Sequence, residues 1–193
     1  MKHFATALLS TILTICAFSG LHAQQALTIT ANAEVLQAFT IPPSGTTING
    51  TVNFQTSNSM NFGKLQATSG QVVLNPLGAN SNAGANASLA RIAVTGAPNG
   101  QSLAITWDAN LELSDSQDPI ANKIFVTPII AGSNSASQSN AQLLSNGIIK
   151  TAGPGGNADA GKFYLWIGGS IPELSSQATG NYTGTFNIGI AYN

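Results

Sequence analysis

The chain has 193 residues, of which only 7% are charged, and six Lys and Arg against seven Asp and Glu leave a net charge of −1. So few cations cannot neutralise a row of phosphates, which excludes nucleic acid as the expected partner. Near-zero charge also lowers the repulsion between copies, which suits self-association or contact with another surface protein.

Residues 1–23 read as a secretory signal peptide. Lys2 and His3 give a basic start, an apolar run follows from Phe4 to Leu21, and Ala23 supplies the small residue before the expected cut. Thr11, Thr14 and Ser19 dilute that run, which argues against an uncleaved anchor helix. Cys16 follows Thr14-Ile15 rather than the small residue of a lipoprotein site. The expectation is an exported protein of the periplasm, cell surface or medium, with no transmembrane anchor after cleavage. The only cysteine and both histidines, His3 and His22, fall in the segment removed. The remaining residues 24–193, a suitable length for a single domain, then have no thiol or imidazole. That subtraction removes disulfides, Cys or His metal sites, Cys nucleophiles and Ser-His-Asp triads. No cofactor and no catalytic residue is expected, and the chain is not read as an enzyme.

From Gln25 to Ile41 the odd positions are mostly apolar, and Pro42-Pro43-Ser44-Gly45 stops the pattern. This alternation runs about three times the usual strand length of 5 to 6 residues. It is either two strands with a sheet switch or one long exposed arm. Thr51–Gln55, Met60–Leu65 and Gln71–Leu74 read as short strands. Gly78–Ser88, almost wholly Gly, Ala, Asn and Ser, reads as a mobile loop. Ala90–Thr95 resumes the sheet, and Ala97-Pro98-Asn99-Gly100 is a turn. Ser102–Leu113 follows as one alternating strand, with Leu103, Ile105, Trp107, Ala109, Leu111 and Leu113 on the core side. Ile124–Ile130, Leu143–Ile149 and Lys162–Ile167 come next, the last apolar on both parities. Gly180–Asn193 has the cleanest period of two, with Tyr182, Gly184, Phe186, Ile188, Ile190 and Tyr192 on one side. About seven to nine strands with Gly-rich turns and no helical period predict an all-β, antiparallel sandwich of immunoglobulin-like type.

Four segments carry a family resemblance. They are Met60-Asn61-Phe62-Gly63-Lys64-Leu65, Val94-Thr95-Gly96-Ala97-Pro98-Asn99-Gly100, Lys162–Ser170 with its Gly168-Gly169 pair, and Ala178-Thr179-Gly180-Asn181-Tyr182-Thr183-Gly184-Thr185-Phe186 running on to Tyr192. Together they resemble the secreted bacterial domain of unknown function 4402, whose ending is similar to that of fimbrial subunits and spore-coat-U-like proteins. The resemblance implies an exported, pilin-like sandwich and no catalytic residues.

Three candidate sites emerge. Asp108, Asn110 and Glu112, with Asp115 and Asp118 beyond, have the alternate oxygen spacing of a calcium loop, but Leu113 stands where such a loop needs glycine. The solvent face of a strand explains them better. Tyr164 and Trp166 could form an aromatic surface for sugar rings, or a doubly covered strand; periodicity does not choose. Leu27, Ile29, Ala31, Ala33 and Val35 have the alternation of an arm that adds a strand to a groove in a neighbouring copy, and equally that of a first strand. The leading expectation is an exported structural or interaction protein. A secreted carbohydrate- or ligand-binding module is the alternative, and a small outer-membrane barrel stands third.

Overall fold

The computed structural model describes residues 26–36, 53–57, 59–66, 70–97, 99–100, 102–153, 158–174, 177–178 and 180–192. The expected signal segment 1–23 lies outside them. Strands account for nearly all the regular structure: β1 (Ala26–Leu36), β2 (Asn53–Ser57), β3 (Met60–Gln66), β4 (Gly70–Leu74), β5 (Ala90–Thr95), β6 (Ser102–Trp107), β7 (Leu111–Asp115), β8 (Lys123–Ser133), β9 (Gln142–Leu143), β10 (Ile148–Thr151), β11 (Phe163–Leu174) and β12 (Asn181–Tyr192). One 3-10 turn, Gln138–Asn140, precedes β9.

Two long strands organise the sheets. β12 has β6 and β7 end to end along one side and β1 along the other, with β10 beyond β6 and β3 beyond β1. β11 has β5 and β4 end to end along one side and β8 along the other, with β2 beyond β5 and β9 beside β8. β8 joins the two sheets: its first residues pair with β7 (Ile124 opposite Leu113), and its later ones pair with β11 (Ile130 opposite Ile167). The result is a sandwich, antiparallel except where β1 meets β12, that is not closed into a barrel.

Alternation explains why these segments are strands. β5 is buried at every second residue, Ala90, Ile92 and Val94, and β7 repeats the pattern with Leu111 and Leu113. Inward residues of both sheets meet in one core that includes Phe62, Leu74, Ile92 and Ile105, with Leu165 from β11 and Phe186 and Ile188 from β12. Each such side chain contributes about 1.5–3 kcal/mol when fully removed from water. The barrel reading fails on the same observation, since the apolar parity of the strands points into a filled core rather than out toward lipid.

Two expectations are corrected. The alternation over Ser102–Leu113 is not one strand, because residues 108–110 leave the ladder between β6 and β7, and Ala109 is exposed rather than in the core. Parity survives the break, since Asp108 stays tied to β12 through its backbone N–H to the Asn187 carbonyl at 3.2 Å. The segment Gly78–Ser88 is pinned rather than loose. Asn61 and Ser88 exchange backbone hydrogen bonds at 2.8 Å, the Val73 N–H donates to the Ser81 carbonyl at 2.8 Å while the Ser81 N–H donates to the Val73 carbonyl at 2.9 Å, and the Gly84 N–H donates to the Phe62 carbonyl at 2.9 Å. Small residues serve this packing: a Cβ on Gly84 would collide with the backbone of Lys64.

Candidate functional site

β1 occupies a place that no other strand of the sandwich shares. Its residues Thr28 to Leu36 run parallel to β12 from Asn181 to Gly189, while Ala26 to Ala31 run antiparallel to β3 from Gln66 to Met60. Among the described residues this is the one parallel pairing. Ile29, Ala31, Ala33 and Val35 stand at the register positions of Tyr182, Gly184, Phe186 and Ile188, and Leu27 at that of Leu65. Tyr182, Phe186, Ile188 and Leu65 are all buried. The alternating arm therefore fills a slot one strand wide, with β12 on one side and β3 on the other.

The calcium spacing does not converge. Asp108 sits in the turn between β6 and β7, where its Oδ2 accepts hydrogen bonds from the Asn187 backbone N–H at 3.2 Å and the Asn187 Nδ2 at 2.8 Å. Glu112 on β7 pairs instead with Lys123 at 2.7 Å, while Asn110 is exposed. Among the described residues no group of acidic side chains is placed to hold a metal ion. Only Glu112 lies on a strand, with an exposed side chain; Asp108 and Asn110 belong to the turn before it rather than to a strand's solvent face.

The aromatic strand is covered on both sides. Phe163, Leu165 and Ile167 enter the core, and Tyr164 and Trp166 lie on the opposite face with only 7% and 4% of their surface exposed. They are not an open platform for a sugar ring, because Arg91 lies over them. Its guanidinium carbon is 5.0 Å from the Tyr164 ring centre and 6.0 Å from that of Trp166. The register of β5 on β11 places Arg91 directly opposite Trp166. Arg91 is not among the sequence-derived candidates, since nothing local marks one arginine on a strand and its partner lies far along the chain.

Residues 52–192 match the family model described as domain of unknown function (DUF4402). The chain belongs to the DUF4402 family. A comparison with curated proteins finds no match. The DUF4402 match opens at the start of β2 and closes at the end of β12, so β1 lies outside it.

The terminal motif inside the DUF4402 region has a physical reading. The Tyr182 hydroxyl donates to the Ala178 carbonyl at 2.9 Å, and its ring is fully buried. This has the local geometry of a tyrosine corner, a hydroxyl bonded to backbone a few residues upstream that fixes the chain as it enters a strand. A Cβ on Gly180 would lie 2.5 Å from the Asp115 Oδ1, and one on Gly184 would strike the Glu112 carbonyl. Glycine, tyrosine, glycine and phenylalanine at positions 180, 182, 184 and 186 thus seat β12 against β7 and the core.

Proposed function

We propose that this DUF4402 chain is an exported, pilin-like structural protein of the cell surface, without enzymatic activity, that links to other copies by strand addition through β1. The observation that carries the reading is the place of β1: it fills the slot between β12 and β3, yet lies outside the family region that makes up the rest of the sandwich. A strand inserted between two others can come from its own chain or from a neighbour, because the hydrogen bonds and register are the same in either case. Residues 37–52, which connect β1 to β2, reach about 50 Å when extended. Withdrawal of β1 would leave β12 and β3 as two facing open edges, the kind of surface that recruits a strand.

The test is an unheated SDS gel of the protein recovered from its native cells, beside a version lacking Gln24–Val35. Strand-linked copies predict ladders that resist SDS, collapse on heating and vanish with the arm. A full-length monomer, with a truncated form that fails to fold, would mean that β1 serves only its own domain.

A further inference from the structure

Beside Arg91 the second sheet carries an open cleft of about 370 Å3, lined among others by Asn75, Asn80, Ser88, Arg91, Gln138 and Trp166. A neighbouring recess of about 430 Å3 shares Gly78 and Gln138 with it. Both volumes fall in the range of small-molecule sites, about 300–1,000 Å3.

The cleft is rich in donors. Among the described residues no carboxylate lines the cleft around the Arg91 guanidinium. The guanidinium carbon lies within cation–π range of both rings, and a guanidinium stacked in that way keeps its edge N–H groups for a ligand. Trp166, 4% exposed, also lines the cleft, and its indole brings one N–H donor. Asn75 and Asn80 use their side-chain oxygens on backbone N–H groups, at 2.9 Å to Leu77 and 2.9 Å to Asn75 respectively. Their amide Nδ2 groups are left as donors. Among the described residues the other lining groups are amides, hydroxyls and apolar side chains.

We propose that this cleft binds a carboxylate-bearing sugar of the hexuronate class, with Arg91 gripping the carboxylate and the amides of Asn75 and Asn80 meeting hydroxyls. A planar guanidinium matches a carboxylate through two parallel hydrogen bonds. Amide and hydroxyl lining suits a sugar better than a peptide, which would need apolar pockets or a free strand edge. The recess past Gln138 gives room for a second sugar unit. Because β1 lies in the other sheet, this site is independent of strand addition.

The test uses the mature protein with Trp107→Phe, which leaves Trp166 as its one tryptophan, and follows its emission during titration with a short oligogalacturonate. The expected result is a saturable change, absent with the neutral galactose oligomer and weakened roughly tenfold by Arg91→Gln, with a lesser loss for Asn80→Ala. Circular dichroism melts of each variant separate lost binding from lost folding, and Asn80 is exposed, so its replacement leaves the core untouched. Equal binding of the neutral oligomer, or unchanged binding by Arg91→Gln, overturns the proposal. So does saturation by acetate or sulfate at the same concentration, which would reduce the cleft to a bare anion site.

Discussion

The Tyr182 hydroxyl and the Ala178 carbonyl, four residues apart, are joined by a 2.9 Å hydrogen bond beneath a fully buried ring. The Gln177 side chain donates to the same hydroxyl at 2.8 Å, so one oxygen ties two points of the chain before β12 to the strand itself. β12 in turn pairs with β1, β6 and β7. The corner therefore sets the entry of the strand on which the first sheet depends.

Tyr182→Phe keeps the ring and removes the hydroxyl. The Ala178 carbonyl and the Gln177 amide lose a partner in a part-buried place, a loss of about 1–3 kcal/mol. Urea unfolding of the two forms should show a lower midpoint with an unchanged slope, and a thermal melt should fall by several degrees.

Gly180→Ala tests close approach. The added methyl would meet the Asp115 carboxylate, which is 2% exposed and already accepts the Gln117 N–H at 3.2 Å. Overpacking of this kind costs about 1–3 kcal/mol. The same change in an Asp115→Ala background should cost less, and the difference between the two urea midpoints measures the coupling. Equal costs in both backgrounds would place the strain elsewhere.

How much of this is legible in the sequence depends on whether a strand has two unlike faces. β12 is readable because Tyr182, Phe186 and Ile188 are buried while Asn181, Thr183 and Thr185 are exposed. β11 is not, because Arg91 and the loop beyond β4 cover Tyr164 and Trp166, so both of its parities are apolar for different reasons. The break at Asp108 is hidden because the parity of the core residues carries across it: Ile105 before it and Leu111 after it are both buried. Arg91 opposite Trp166 is a register fact, and register between distant strands has no local signal.

The loop from Gly78 to Ser88 shows how composition can mislead. Its small residues permit backbone contacts with β3 and β4. Hydrogen exchange should therefore find the amides of Ser81, Gly84 and Ser88 slower than those of the exposed Gly78 and Ala79, which donate no comparable bond among the described residues. Equal, fast exchange at all five positions would restore the mobile reading.

The Lys123–Glu112 pair decides what the acidic alternation on β7 is for. Its 2.7 Å contact joins side chains that are 37% and 42% exposed, and solvent screens such a pair to about 0–1 kcal/mol. Lys123→Ala should therefore move the melting temperature by no more than a few degrees, and high salt should shrink even that shift. Calcium gives the sharper contrast. Asp108 Oδ2 is engaged by Asn187 and Glu112 Oε1 by Lys123, which holds the two carboxylates on different partners rather than on one cation. Millimolar calcium should leave the melting temperature unchanged in the native protein and in Lys123→Ala alike. A rise that appears only after Lys123 is removed would mean that the lysine had been holding Glu112 away from a metal, and that the alternate oxygens of Asp108, Asn110 and Glu112 can close around one.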